Sequence, residues 1–357
     1  MTSKIVVKNI FYMLSYAFKV LMETNYSSIA VEDFDNINNL YAAILSKGVS
    51  QQIKQGLHRE YVSNEEPIPG IKGKILIENT INLRINRMRM NYCQYDVYSV
   101  NNLYNQIVKC GMKILINAFD VEDKYKNELR KLLLYFSDVD YLDYRSIDWN
   151  HITYSRYNES YKMLINICYF IIESVLPSDD GGRYRFADFI DSQKMSRLYE
   201  KFVLEYYKRH YPALNPRVDS KKIHTDEKYS TGNIIDFLPN QITDVILSKG
   251  NKILIIDAKY YTKVFQQNTD KKSLRSSHIN QVYMYCQNHS IEDDNLDVSG
   301  MLLYAKNTSE SIPEGSEMII NKILSVNVLN LEKDFSEIKQ KLDLIVHSNF
   351  PSVIKVN

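Results

Sequence analysis

Long apolar runs are missing from this chain. No segment approaches the roughly 20 consecutive apolar residues that a membrane span requires. The apolar stretch nearest the N-terminus, around Ile10 to Val20, is interrupted by Ser15, Tyr16 and Lys19, and no small-residue cleavage site follows it. The expectation is a cytoplasmic protein with no membrane partner. Cysteine is scarce: Cys93, Cys110, Cys168 and Cys286 form no C-x-x-C pair and have no histidine at ligand spacing, which argues against a zinc site or a disulfide scaffold. They read as buried thiols in a reducing compartment. No G-x-x-x-x-G-K-[ST] run occurs, so the chain is expected to bind no nucleotide itself. Nor does one sign of charge dominate: 44 Lys and Arg stand against 43 Asp and Glu, so any nucleic-acid contact must come from local clusters.

What is present suffices for a folded core. Hydrophobic residues make up 45% and charged residues 24% of 357 positions, enough to bury one large or two ordinary domains. The 28 tyrosines suggest half-buried surfaces, through semi-exposed packing or stacking on bases. Helical periodicity is expected over 9–22, 37–57, 103–119, 123–136, 157–175, 192–207 and 277–286, and strands over 60–63, 74–83, 92–98, 234–238, 243–247, 252–258 and 300–304. The breaker cluster Pro177-Ser178-Asp179-Asp180-Gly181-Gly182 marks a domain boundary, giving domains 1–177 and 178–357. Helix, strands, helix, strand in the second is an α/β arrangement.

The chemistry sits in one hairpin. Two apolar strands, opening at Thr243-Asp244 and closing at Ile256-Asp257-Ala258-Lys259, are joined by Ser248-Lys249-Gly250-Asn251. Side chains at i and i+2 share a strand face, so Asp257 and Lys259 project together, and the hairpin can return Asp244 to the same sheet end. Two carboxylates and an ammonium suit phosphodiester hydrolysis with Mg²⁺, or Mn²⁺ as a substitute. Asp244 and Asp257 would be metal ligands with the Ala258 carbonyl, and Lys259 would orient water and offset charge. From spacing alone a nuclease centre and ordinary strand-end charges both remain open.

A third element follows. Gln281 and Tyr285 lie at i and i+4 on one helix face and resemble the Q-x-x-x-Y element of RecB-like members of the PD-(D/E)xK nuclease superfamily. Gln281 would then contact the scissile-strand backbone with Tyr285 supporting it; otherwise the helix simply packs on the sheet. Lys263, Lys271, Lys272, Arg275 and His278 form a basic cluster, readable as a DNA-tracking loop or a solvated one. Glu200 is either an accessory acid near the metal or solvent-facing.

Read whole, the chain resembles the McrC family, nuclease subunits of McrBC-type, modification-dependent restriction systems. The matching pieces are Asn9-Ile10-Phe11-Tyr12-Met13-Leu14-Ser15-Tyr16-Ala17, Leu45-Ser46-Lys47-Gly48-Val49, Ile68-Pro69-Gly70-Ile71-Lys72-Gly73-Lys74-Ile75, Tyr184-Arg185-Phe186, Met195-Ser196-Arg197-Leu198-Tyr199, Thr243-Asp244 and Ile256-Asp257-Ala258-Lys259-Tyr260-Tyr261. Thr243 stands where proline often precedes the first Asp. The resemblance implies an N-terminal mixed helical and β docking domain, followed by a PD-(D/E)xK restriction-endonuclease-like domain with a central mixed sheet flanked by helices. It also implies a partner, a McrB-like AAA+ GTPase hexameric ring, into which a β-finger inserts and whose GTP hydrolysis it stimulates, and double-stranded DNA as substrate. Pro69, Gly70, Lys72 and Lys74, with Arg84 nearby, are the candidate docking residues; an ordinary surface loop is the competing view. A non-catalytic assembly subunit and a stand-alone RecB-like nuclease are the alternative functions.

Overall fold

The computed structural model describes residues 4–22, 26–155, 158–176, 185–186, 192–229, 233–260, 265–268, 271–291, 293, 295–306 and 311–356. The breaker cluster at 177–182, together with Tyr184, Tyr261 and Lys263, lies outside the described residues. The chain divides into two compact units, one of residues 37–187 and one combining 1–36 with 188–357. This differs from a simple N-terminal and C-terminal split, because the first helix, α1 (Lys4–Ala17), and the short α2 (Ser27–Val31) group with the C-terminal residues.

The unit of residues 37–187 is built on helices α3 (Ile37–Gln55), α5 (Leu103–Ile116), α6 (Asp123–Leu133) and α7 (Glu159–Glu173). Between the first two of these the chain runs out as β1 (Glu60–Ile68), β2 (Lys74–Ile75), helix α4 (Ile77–Ile85) and β3 (Asn91–Ser99). These strands form a three-stranded antiparallel sheet in the order β1-β3-β2. A short pair, β4 (Val175–Leu176) and β5 (Arg185–Phe186), closes the unit.

The strand expected over 74–83 is therefore mostly helix. Ile81, Leu83 and Ile85 alternate as a strand would, but Ile77, Ile81 and Ile85 also recur at i, i+4 and i+8. The helical spacing prevails, and all three isoleucines are exposed on a helix that buries nothing. The sheet is rooted by a buried amide knot. Asn105 Nδ2 donates to the carbonyls of His58 (2.8 Å) and Val100 (2.7 Å), Asn102 Nδ2 donates to His58 (2.9 Å), and the Tyr161 hydroxyl donates to Asn105 Oδ1 (2.7 Å). Backbone groups where the sheet leaves the helices thus keep partners without water.

The other unit carries α8 (Ser192–His210), β6 (Arg217–Lys221), β7 (Gln241–Lys249), β8 (Lys252–Tyr260), β9 (Phe265–Asn268), β10 (Lys271–Leu274), α9 (Ser276–Ser290), β11 (Asp297–Lys306), β12 (Gly315–Ile319), β13 (Lys322–Asn330) and α10 (Phe335–Asn349). Six strands make one mixed sheet in the order β12-β13-β11-β8-β7-β6, with β11 parallel to both β8 and β13 and the other pairs antiparallel. Ile253 to Ala258 of β8 are all buried, as a central strand covered on both faces requires. Val282, Tyr285 and Cys286 of α9 pack on one face against Ile246, Ile255, Leu302 and Tyr304, and α8 packs on β8 and β7. The strand expected at 234–238 is instead a 3₁₀ turn, Ile234–Phe237, which leaves Ile234 and Phe237 exposed.

Helix α1 is tied into this unit by polar and ring contacts. Asn9 Nδ2 donates to the carbonyls of Leu331 and Lys333 (2.8 Å each), Tyr12 stacks on Phe335 (4.4 Å between centroids), and Tyr16 donates to His210 Nε2 (2.8 Å), whose Nδ1 donates to the Val356 carbonyl. Several tyrosines, among them Tyr12, Tyr92, Tyr95 and Tyr283, are half-buried as expected, but others go deeper: nine of the twelve largest fully buried side chains among the described residues are Tyr. Asp343 makes the burial of two of them tolerable, accepting from the Tyr206 and Tyr211 hydroxyls (2.7 and 2.8 Å) and from Lys355 Nζ (2.6 Å). All four cysteines are buried free thiols.

Gly300 of β11 lies under α9, where an added Cβ would sit 2.4 Å from Val282 Cγ1, 2.7 Å from Leu324 Cδ2 and 2.9 Å from Cys286 Sγ. Gly300→Ala is expected to destabilise the protein by about 1–3 kcal/mol through overpacking. Denaturant unfolding checks this, and an unchanged midpoint would show that α9 is not pressed against the sheet there.

Candidate active site

Strands β7 and β8 pair in regular register from Lys249↔Lys252 to Val245↔Ile256 and then part. Beyond that point β7 pairs only with β6, through Thr243↔Asp219, Ile242↔Ser220 and Gln241↔Lys221. The parting removes ladder partners from β8, and side chains replace them. The Ala258 backbone N–H donates to Asp244 Oδ2 at 2.8 Å, so this carboxylate stands where a β7 carbonyl would have been. Asp257 and Lys259 project from the end of β8, as the i, i+2 spacing requires. Lys259 Nζ lies 2.9 Å from Asp257 Oδ1 and 2.8 Å from Oδ2, astride the carboxylate. Asp257 is fully buried and Ala258 nearly so.

Helix α9 closes one side. Gln281 Oε1 accepts from Lys259 Nζ (3.1 Å), Gln281 Nε2 donates to the Tyr285 hydroxyl (2.7 Å), and that hydroxyl donates to the Ile242 carbonyl of β7 (2.6 Å). Gln281, expected to face a DNA backbone, has its amide engaged with the lysine and the tyrosine. One turn earlier His278 is buried, its Nδ1 3.0 Å from the Tyr304 hydroxyl. Burial and the nearby Lys259 and Arg275 charges push its pKa down to about 4. It is therefore neutral at physiological pH and does not belong to a basic DNA-tracking cluster, a placement for which the sequence offered no signal beyond its position one turn ahead of Gln281. Arg275 is the half-buried N-cap residue of α9, and Lys271 and Lys272 lie in β10, paired with Asn268 and Gln267 of β9.

Glu200 on α8 is half-buried rather than solvent-facing, and its carboxyl feels both Lys259 and Asp257. The electrostatics follow from crowding. Burial pushes the Asp244 pKa up to about 8, aided by the Asp257 and Glu200 charges and opposed by Lys259 and the Ala258 N–H. Burial likewise raises Asp257 against the pull of Lys259, and raises Glu200. Three carboxyl groups in a poorly solvated place, with one ammonium woven among them, leave negative charge uncompensated. Added positive charge relieves this, and oxygen donors of this kind suit a hard divalent cation. Among the described residues no three His, Cys, Asp or Glu side chains are grouped closely enough to hold a metal by themselves. An ion here would rest on Asp244, Asp257, the Ala258 carbonyl, water and substrate oxygens, which matches the Mg²⁺ habit of taking one or two carboxylates.

The family described as "McrBC 5-methylcytosine restriction system component" matches residues 2–305. The chain belongs to that family. It is 30% identical over 300 residues to an Escherichia coli (strain K12) protein named "Type IV methyl-directed restriction enzyme EcoKMcrBC", covering 84% of this chain and 85% of that one. A solved structure with 15% sequence identity, TM-score 0.50 and coverage of 96% of this chain and 75% of that chain is the refined half-complex from a tetradecameric assembly of Thermococcus gammatolerans McrB AAA+ hexamers with bound McrC. At that identity the likeness bears on the fold alone. This McrBC-family chain is thus a restriction-system component with a mixed α/β fold, and no helix among its described residues is long and apolar enough to cross a membrane.

The Asp244 environment predicts a stability signature. Its folded-state pKa of about 8 lies above the ordinary 3.8, so the unfolded chain releases this proton first as pH rises. Metal-free stability contributed by this group is full below about pH 4 and is lost as pH climbs toward about 8. Asp244→Asn is expected to flatten that slope and to stabilise the metal-free protein near pH 8 by at least about 1 kcal/mol. Urea unfolding across that range checks it; parallel pH profiles for both proteins would contradict it.

Proposed function

We propose that this chain is the DNA endonuclease subunit of a McrBC-like restriction complex, cutting phosphodiester bonds at a PD-(D/E)xK-type centre made of Asp244, Asp257 and Lys259. The observation that carries the reading is the convergence of the buried Asp257 carboxylate, the half-buried Asp244 carboxylate and one ammonium where β7 and β8 part. Asp244 and Asp257, with the Ala258 carbonyl, would hold the ion, and Glu200 adds negative charge at its edge. A bound Mg²⁺, or Mn²⁺ in its place, supplies Lewis acidity toward the phosphate. Lys259 directs its protons at Asp257 and Gln281 in this arrangement. It is placed to offset charge developing on a phosphate oxygen and to orient the attacking water. Lys271, Lys272 and Arg275 precede and open α9, and we assign them, with Lys263, to the DNA backbone.

The chain's partner, on the same reading, is a McrB-like AAA+ GTPase hexameric ring, with double-stranded DNA delivered by that partner and its GTPase stimulated in return. Support comes from family membership and from the solved Thermococcus gammatolerans relative, a complex of McrB AAA+ hexamers with bound McrC. The β1-β3-β2 sheet is the proposed docking finger. Pro69, Gly70, Lys72 and Lys74 at its turn are exposed, as is Arg84, and Gly73 is pinned at φ +65° with no room for a Cβ against the Gln94 carbonyl.

Asp257→Ala and Lys259→Ala are each expected to lower DNA cleavage by the partner complex at least about a thousandfold, on the scale of losing an electrostatic transition-state stabiliser, while the complex still assembles in size-exclusion chromatography. Undiminished cutting by either variant would remove the assigned centre, and intact DNA with the wild-type complex under every divalent ion would favour a non-catalytic assembly role. Reversing charge with Lys72→Glu and Lys74→Glu together is expected to reduce stimulation of the partner's GTP hydrolysis without changing the chain's melting temperature. Full stimulation by that double variant would place docking elsewhere.

A further inference from the structure

Helix α9 does more than cover the sheet. It spans the gap that opens where β7 leaves β8, touching both strands through two side chains one turn apart. The Tyr285 hydroxyl lies 2.6 Å from the Ile242 carbonyl, two residues before Asp244, and 2.7 Å from Gln281 Nε2. Gln281 Oε1 lies 3.1 Å from Lys259 Nζ.

A proton inventory fixes the direction of this chain. A phenol has one proton to give, and a carbonyl can only accept, so the Tyr285 proton goes to Ile242. The tyrosine oxygen must therefore accept from Gln281, and only the amide nitrogen can donate. The opposite face of the same amide is then its oxygen, turned to Lys259. A flipped amide would set NH₂ against the ammonium and leave the tyrosine oxygen facing a carbonyl oxygen, two repulsive contacts in place of two bonds.

We propose that Gln281 and Tyr285 are positioning residues for Lys259: Tyr285, anchored on the β7 backbone, sets the Gln281 amide, and that amide holds the ammonium over Asp257. This rests on the reading of Asp244, Asp257 and Lys259 as the cleavage centre, and it replaces a DNA-backbone role for Gln281. Lys259 hangs on a flexible four-carbon stem with three rotatable donors. Two of its donor directions are taken by Asp257 and Gln281, which narrows the ammonium to one place beside the carboxylates. The tether also couples the lysine on β8 to the strand that carries Asp244, so the two halves of the centre keep their spacing although no ladder joins them there.

Two readouts test this. In the complex with the GTPase partner, Tyr285→Phe, which keeps the ring packing, is expected to lower kcat about tenfold and Gln281→Met about a hundredfold, with KM for DNA within about twofold of wild type. In the isolated full chain labelled at lysine Nζ, ¹H–¹⁵N spectra are expected to show a restrained ammonium signal, assigned by its loss in Lys259→Arg. That signal should collapse toward the exposed lysines in both variants. A raised KM with unchanged kcat would make Gln281 a DNA contact and overturn the proposal, as would unchanged turnover together with an unchanged ammonium signal. If Asp257→Ala cuts like wild type, the nuclease assignment falls, and the ammonium spectrum alone then decides whether the tether exists.

Discussion

Everything at the centre depends on β7 and β8 separating after Val245↔Ile256. A continued ladder would have paired the Ala258 N–H with the β7 backbone and left no place for side chains between the strands. Separation leaves that N–H, in a buried residue, without a ladder partner, at a cost of about 1–3 kcal/mol if nothing replaces it. Asp244 supplies the replacement, and Tyr285 bonds the carbonyl of the more exposed Ile242. The polar groups that rescue the strand ends are thus the same groups that build the site, and the fold cannot close the gap without expelling them.

The gap also sets the charge problem. Burial raises the pKa of both Asp244 and Asp257, the Asp257 and Glu200 charges raise Asp244 further, and Lys259 offsets only part of the load. Such an arrangement costs the folded chain stability, and on the proposed reading a bound cation would relieve that cost, a trade common at sites that do chemistry. The surrounding structure is built to bear it. The Asp343 cluster of Tyr206, Tyr211 and Lys355 is fully bonded, and α8 and α9 clamp β8 from its two faces.

Much of the site was legible in the sequence because its signals are local. Asp257 and Lys259 follow from strand alternation at the end of an unbroken apolar run, and Gln281 with Tyr285 from helical spacing. The partners of those residues were not legible. That Gln281 faces the lysine depends on where α9 sits over the sheet, and that His278 is neutral depends on burial beside Lys259 and Arg275. Glu200 reaches the centre from α8, off the apolar stripe of Met195, Phe202 and Tyr206, so periodicity alone pointed it to solvent. Elsewhere period-2 alternation in Ile81, Leu83 and Ile85 concealed a helix, and the apolar Ile234-Ile235 pair imitated a strand where the chain makes a 3₁₀ turn. The placement of α1 depends on Asn9, Tyr12 and Tyr16 meeting residues some 200 to 320 positions away, which no window-based reading of one sequence can see.

The most direct measurement of the central claim is anomalous scattering from crystals of the full chain soaked in Mn²⁺. A single strong peak is predicted between the carboxylates of Asp244 and Asp257, within coordination distance of the Ala258 carbonyl oxygen and absent in Asp257→Ala crystals. Ordered carboxylates with no peak between them at saturating Mn²⁺, or a peak bound elsewhere that persists in the variant, would contradict it.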